Sequence, residues 1–191
     1  MRHIGRIFAR LAGGACLLAI AGCGAPLYNV APSPAALPAG MASGRTPGGL
    51  SVGAALIDED RAIDEFDANL PLAGIVAVDL QLANGAAEQV KVDRLKLTLE
   101  DAAGQSYRPI KPQWALGRLM KFYGDRIYFV RSYRETRARY VAVALPLDGR
   151  LAAGEERRGI VFFGTRRDST ALTGLSLSVG GGKTPVKLRL N

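Results

Sequence analysis

The chain has 191 residues, a hydrophobic content of 48% and a formal net charge of +8, values that indicate a globular protein with a core and exclude a wholly disordered chain. Beyond residue 23 it contains neither cysteine nor histidine, so the folded part lacks the side chains of Cys or His zinc sites, Cys–His nucleophiles and Ser–His–Asp triads. We therefore predict no metal, no small-molecule cofactor and no enzymatic activity.

The first residues have the pattern of an export signal. Three arginines, Arg2, Arg6 and Arg10, precede a run of apolar and small residues at positions 11–22. As a helix with a rise of about 1.5 Å per residue this run would span about 18 Å, short of the roughly 30 Å hydrocarbon core of a bilayer. The sequence therefore predicts a cleaved signal helix rather than a permanent membrane span.

Residues 20–23 (IAGC) place an aliphatic residue, two small residues and a cysteine directly after the apolar run. This quartet resembles the lipobox of bacterial lipoproteins. The resemblance implies that residues 1–22 are removed and that the thiol of Cys23 receives a diacylglycerol, so that acyl chains hold the protein on a membrane. Cys16 lacks this context because Gly13 stands where the aliphatic residue belongs. Gly24, rather than Asp, follows Cys23, which in that family implies sorting to the outer membrane, facing the periplasm.

Residues 24–48 are rich in Pro, Ala, Gly and Ser and have no apolar periodicity. We interpret residues 23–48 as the lipidated cysteine and a flexible tether, and residues 49–191 as the folded domain. Loss of the three signal arginines leaves 22 of the 25 basic side chains against 17 acidic ones. That excess is below the level expected of a nucleic-acid-binding protein, so we predict no nucleic-acid partner.

From residue 49 onward, short strand-like runs alternate with turn signals. Two segments differ: an acidic run at 58–67 favours a short helix, and 112–123 has helical spacing that ends at Gly124. The predicted strands cover residues 50–57, 74–82, 90–92, 95–99, 126–130, 140–145, 159–163, 172–179 and 186–190, and residues 107–110 close the hairpin that follows 95–99. This pattern predicts an all-β protein, an antiparallel β-sandwich with one or two short helices, preceded by the signal helix and the tether.

Three phrases carry a second resemblance: GIVAVDLQLANGAAEQVKV at 74–92, DAAGQSY at 101–107 and GIVFF at 159–163. In order and strand type they resemble bacterial lipoproteins with an immunoglobulin-like domain. The resemblance spans residues 49–191 and implies an immunoglobulin-like sandwich. It carries no catalytic signature and therefore implies no activity.

Two local motifs have simple structural interpretations. The run GGGKT at 180–184 differs from a phosphate-binding P-loop because Leu177 stands where its first glycine belongs and Pro185 follows, so we predict a hairpin turn. The acidic run at 58–67 lacks the glycine and glutamate spacing of a calcium loop and is predicted to be a solvated helix face.

Residues 107–140 combine many cations with interleaved aromatic side chains. The simpler interpretation places the apolar members in the core and the arginines on its wet face. The alternative is a contact surface for anionic lipid headgroups or an acidic envelope partner, since arginine forks match phosphate and carboxylate. Its candidate residues are Trp114, Arg118, Lys121, Tyr123, Arg126, Arg131, Tyr133, Arg134, Arg137 and Arg139.

The sequence favours a lipid-anchored, non-enzymatic binding or structural accessory module of the cell envelope. Two alternatives stay open. One is a hydrolase of envelope polymers that uses paired carboxylates, which would need two facing acids in a cleft. The other is a subunit of a secretion or transport assembly.

Overall fold

The computed structural model describes residues 27–32, 41–125, 130–166, 168–181 and 184–190. The predicted signal segment and Cys23 lie outside the described residues. The described chain contains a 3-10 turn at Val92–Arg94 and three α-helices: α1 (Glu59–Phe66), α2 (Pro112–Tyr123) and α3 (Val130–Val143). Three helices thus stand where one or two were predicted. We call them together the helix layer.

The rest of the described chain is mostly antiparallel β-structure, as predicted. The strands are β1 (Ala42–Arg45), β2 (Leu50–Ile57), β3 (Ile75–Asn84), β4 (Val90–Lys91), β5 (Lys96–Glu100), β6 (Ser106–Tyr107), β7 (Pro109–Ile110), β8 (Arg150–Leu151), β9 (Glu156–Gly164), β10 (Ser176–Gly180) and β11 (Val186–Arg189). A five-stranded sheet has the order β1-β2-β3-β9-β7, a four-stranded sheet the order β11-β10-β5-β6, and β4 pairs with β8.

The two larger sheets share one hydrophobic core. Every second residue of β3 points into it, as the period of two along a strand requires: Val76, Val78, Leu80 and Leu82. The four-stranded sheet contributes the alternating apolar residues of β5 and β10: Leu97, Leu99, Leu177 and Val179. These two sheets therefore pack against each other through the inward side of β3.

A second core lies on the other face of the five-stranded sheet. Ile75 and Ala77 of β3 contact the helix layer there. The largest side chains of this core are aromatic, and the rings of Phe66, Tyr140 and Phe162 have centroids 5.4 to 5.8 Å apart. Strand β3 is consequently buried on both faces, between the four-stranded sheet and the helices.

The prediction of a strand over residues 140–145 is wrong. Helix α3 continues to Val143, and Ala144 then makes one isolated parallel bridge to Ile160 of β9. The buried residues of α3 are spaced by four or three, the period of a helix: Ser132, Thr136, Tyr140 and Val143. Two of these four are polar, so no apolar stripe marks the helix, whereas YVAVAL by itself is a short, continuous apolar run of the kind found in buried strands. The predicted strand at 126–130 falls mainly on residues 126–129, outside the described part, and Val130 begins α3.

Two segments of the predicted tether are part of the folded structure. Ala42–Arg45 forms β1, an edge strand paired with β2. Farther upstream, Tyr28 and Val30 are 6% and 1% exposed and belong to the core under the helices. The composition of residues 24–48 does not indicate these contacts, because only a few large apolar residues make them and most residues of the segment are small. The folded part therefore begins well before residue 49.

Candidate interaction surface on the helix layer

Helix α2 spans the predicted residues Pro112–Tyr123 and carries the first part of the candidate surface. Proline at its first position suits a helix start, and Gly124 ends the helix in the left-handed conformation with φ 73°. Trp114 and Lys121 lie two turns apart on the side facing away from the sheet, and Trp114 is 61% exposed. The buried side consists of Ala115, Leu116, Leu119 and Met120.

Helix α3 packs beside α2 and exposes Arg134 and Arg137. The two helices together contain six arginine or lysine residues and one carboxylate, Glu135. Helix α1 has the opposite balance, with four acidic residues and one arginine. The helix layer therefore divides into an acidic element, α1, and a basic pair, α2 and α3.

The structure brings only part of the predicted contact stretch together at the surface. Trp114, Lys121, Arg134 and Arg137 are exposed. Arg126 and the side chain of Arg131 lie outside the described residues. The other four residues are engaged within the fold or partly covered by it: Arg118, Tyr123, Tyr133 and Arg139.

Each of these four has an identifiable internal role. The guanidinium of Arg118 donates to the carbonyl oxygen of Thr165, after β9. Tyr123 is 46% exposed, and its hydroxyl accepts a hydrogen bond from the backbone N–H of Asn69 at 3.1 Å. Tyr133 packs partly buried against the core under the helices. The guanidinium of Arg139 donates hydrogen bonds to the side-chain oxygen of Asn29 and to the carbonyl oxygen of Val30. All four side chains therefore make contacts within the fold.

Residues 27–31, which we call the N-terminal segment, run across the helix layer. At one end the backbone N–H of Leu27 donates to Oγ1 of Thr136 on α3 at 2.9 Å. Next along the chain, Nη1 of Arg139 donates to Oδ1 of Asn29 at 3.0 Å. Because Thr136 and Arg139 lie one turn apart, α3 holds this end of the segment at two points. Sequence reasoning assigned these residues to the tether and missed the contact.

The same segment reaches α2 and α1. The hydroxyl of Tyr28 donates to Asp125, directly after α2, and its ring lies 6.3 Å from that of Tyr123. Burial and the hydrogen bond to Asp125 raise the pKa of Tyr28, so the hydroxyl stays protonated and remains a donor. At the far end, the N–H of Ala31 donates to the carbonyl oxygen of Glu65 on α1 at 2.7 Å. The segment thus links all three helices.

A buried charged cluster joins α1 to the sheet. Asp79, in the middle of β3, is 0% exposed. Arg158 of β9 binds it with two hydrogen bonds, Nε to Oδ1 at 2.9 Å and Nη2 to Oδ2 at 2.6 Å. From α1, Nη2 of Arg61 lies 3.2 Å from Oδ2 of Asp79 and 2.6 Å from Oε1 of Glu65. The hydrogen bond to Asp79 raises the pKa of Arg158.

The cluster acts as a structural clamp rather than as a pair of catalytic acids. Both carboxylates, Asp79 and Glu65, accept hydrogen bonds from guanidinium groups, whereas a glycosidase needs two acids that face a substrate cleft. Sequence reasoning did not single out this cluster. The available signal is an aspartate inside the otherwise apolar run IVAVDL, because a charge in a buried strand requires a partner.

The acidic residues of α1 are mostly on its solvent side, as expected of a solvated helix face; the buried exception is Glu65. Within the described residues, no group of three Asp, Glu, His or Cys side chains has the arrangement of a metal site. The predicted turn at 180–184 joins β10 and β11, which are antiparallel neighbours, but residues 182 and 183 lie outside the described part.

None of the helices in the described part of the chain is both long enough and apolar enough to cross a bilayer.

No protein-family model and no curated protein matches the chain. Solved structures similar to it include an ApaG protein from Pseudomonas aeruginosa PAO1, with 16% identity over 70% of this chain and 97% of that one and a TM-score of 0.36. A conserved hypothetical protein from Bacillus anthracis has 13% identity over 77% and 92%, with a TM-score of 0.37. The YjhA protein from Bacillus subtilis has 9% identity over 78% and 96%, with a TM-score of 0.40. Identities and TM-scores this low carry no argument about function.

Proposed function

We propose that this chain is a lipid-anchored lipoprotein of the bacterial cell envelope and acts there as a non-enzymatic binding or structural module. One observation carries the proposal: the quartet at residues 20–23, IAGC, follows directly on a short apolar run with arginines before it. Acyl chains on Cys23 would retain the domain at a membrane, and Gly24 after the cysteine favours the periplasmic side of the outer membrane.

The N-terminal segment supports this proposal from the folded side. It carries no strand or helix of its own, yet it is bound at Leu27 by Thr136 and at Asn29 by Arg139. A segment fixed in this way gives an anchor at Cys23 a defined position relative to the domain. The helix layer, where the segment binds, is the face that we propose as the binding face of the module.

The proposed immunoglobulin-like arrangement concerns the two larger sheets. Two features support it: every named strand pair of the described chain is antiparallel, and the two sheets share one core through β3, β5 and β10. The helix layer on the second face of the five-stranded sheet would then be an addition to the sandwich.

Intact-mass measurement tests the anchor. The full chain, produced in a bacterium that processes lipoproteins, should yield a mature protein that begins at Cys23 and carries a diacylglycerol and a further acyl group. The variant Cys23→Ser should remain an unacylated precursor, because serine has no thiol to accept the lipid. Cys16→Ser is the matched control and should be processed like the parent.

An unacylated protein beginning at another residue would contradict the proposal. Acylation that persists in Cys23→Ser and disappears in Cys16→Ser would contradict the assignment of the lipid to Cys23.

A further inference from the structure

We propose that the exposed side of α2 and α3 is the membrane-facing surface of the anchored domain and that it binds anionic phospholipid headgroups. This inference rests on the proposed acylation of Cys23. It adds an orientation: which face of the folded part meets the lipid, and which side chains make the contact.

The first step is the short length of chain between the proposed anchor, Cys23, and the first residue bound to the fold, Leu27. Leu27 lies four positions after Cys23, and a fully extended chain covers at most about 3.6 Å per position, or about 14 Å in all. Leu27 is held on α3 by its hydrogen bond to Thr136. An acyl group on Cys23 therefore keeps α3 close to the headgroup region and prevents the domain from standing far off the bilayer.

The second step is the direction in which the chain enters the helix layer. Leu27, the residue nearest the anchor, lies at α3, whereas Ala31 lies at the carbonyl of Glu65 on α1. The basic helix is thus at the anchored end of the N-terminal segment and the acidic helix is at its other end. An anionic surface would attract the first and repel the second.

The third step is the geometry of the exposed side. On α3, Arg134 and Val141 lie two turns apart opposite the buried residues, and Val141 is 51% exposed. On α2, Trp114 and Lys121 have the same spacing and also lie opposite the buried side. Because both helices bury their other sides in one core on the same sheet, these exposed sides face away from the sheet together.

The chemistry of this surface matches a headgroup region. Tryptophan sits well at the boundary between water and hydrocarbon, and Phe122, 49% exposed, adds apolar area about two turns farther along α2. Nζ of Lys111 lies 6.0 Å from the centroid of the Trp114 ring, so a cation accompanies the indole. Arginine forks bind phosphate, and a basic patch combined with an acyl chain gives firmer attachment than the chain alone.

Trp114 is the only tryptophan of the chain, so its fluorescence reports on this surface alone. The acylated mature protein, beginning at Cys23, is reconstituted into phosphatidylcholine vesicles with or without phosphatidylglycerol, each also prepared with brominated lipids. We expect Trp114 emission to shift to shorter wavelength and to be quenched by bromine in vesicles that contain phosphatidylglycerol. Much less quenching is expected in vesicles of phosphatidylcholine alone.

The double variant Arg134→Gln/Arg137→Gln tests the charges while leaving helix propensity nearly unchanged. At about 1 kcal/mol per cation near an anionic surface, loss of two cations should lower the ratio of docked to undocked domain about thirtyfold. The matched control, Arg94→Gln/Lys96→Gln, removes two exposed cations near β5, in the four-stranded sheet, and should leave Trp114 quenching unchanged.

The outcomes separate this inference from the anchor itself. If mass spectrometry shows acylated Cys23 while Trp114 stays unquenched in both vesicle types, the orientation is overturned and the anchor stands. Equal quenching with and without phosphatidylglycerol, or equal effects of the two double variants, overturns the role of the cations. A chain without acyl groups overturns the inference together with the proposed function.

Discussion

Asp79 carries the ionic contact between α1 and the five-stranded sheet. It is fully buried, and both of its oxygens accept hydrogen bonds from arginine side chains that are only about a quarter exposed or less, Arg61 and Arg158. Without the carboxylate, these two guanidinium groups would face each other across a poorly hydrated space. Removing one partner of a buried ion pair is costly for this reason.

We therefore expect Asp79→Asn to lower the free energy of unfolding by about 3 kcal/mol, measured by urea denaturation. The control is Glu100→Gln, which breaks the ion pair with Lys187, whose side chain is 59% exposed. That exposed pair should contribute less than about 1 kcal/mol. If both variants lost the same free energy of unfolding, burial would not determine how much an ion pair contributes to stability in this protein.

At the scale of elements, the passage from α3 to β9 depends on a close approach of two backbones. After α3 the chain lies directly over β9, where the N–H of Leu145 donates to the carbonyl oxygen of Ile160 at 3.1 Å. Gly159 makes room for it, because a Cβ at this position would lie 2.5 Å from the backbone N and Cα of Leu145. Backbone atoms cannot move aside to relieve such a clash, whereas the end of a flexible side chain can.

Gly159→Ala should accordingly destabilise the protein by about 2 kcal/mol, since either α3 or β9 must move. Gly117→Ala in α2 is the matched control: a Cβ there meets nothing within 4 Å, and alanine should stabilise the helix by about 1 kcal/mol. Thermal unfolding followed by circular dichroism distinguishes the two signs. A Gly159→Ala variant as stable as the parent would contradict the close approach.

At the scale of the whole molecule, β3 and β9 belong to both cores. Leu80 of β3 contributes to the core between the sheets, and Phe162 of β9 contributes to the core under the helix layer. Loss of either core would disrupt β3 and β9, on which the other core also packs. The described part of the chain should therefore unfold as one cooperative unit.

Leu80→Ala and Phe162→Ala should each lower the free energy of unfolding by about 3 kcal/mol and shift one common transition. Far-ultraviolet circular dichroism reports on the backbone, and the near-ultraviolet signal reports on the rings packed around Phe66 and Tyr140. Ile63→Ala is the control, because Ile63 is 51% exposed and its truncation should change stability little. Two midpoints, one for each signal, would contradict the shared sheet.

Elements with strong local signals were predictable from the sequence. The strand at Leu50–Ile57 and the helix at Pro112–Tyr123, ended by Gly124, occur where the sequence placed them. Apolar periodicity, a proline at the helix start and a glycine at its end act over neighbours within about one turn, so the chain segment itself contains the information. The mostly antiparallel β-structure follows from the same kind of signal.

The surface could be predicted only as a stretch of suitable residue types. The sequence did not indicate that Arg139 would bind Asn29, 110 positions away, or that Arg118 would reach Thr165, 47 positions away. Trp114, Lys121, Arg134 and Arg137 remain exposed only because α2 and α3 bury their other sides on one sheet. Such pairings depend on how distant elements pack.

The sequence by itself determined the local elements and their chemistry: alternating strands, the α2 helix with its capping glycine, and cations concentrated between residues 107 and 140. The tertiary structure decided that residues 130–143 form a helix, that Tyr28 and Val30 join the core and that Asp79 is held by two arginines. The physical reason is range. Backbone preferences act between neighbours, whereas the partly polar buried side of α3 and the bound N-terminal segment are stabilised by partners that only folding brings near.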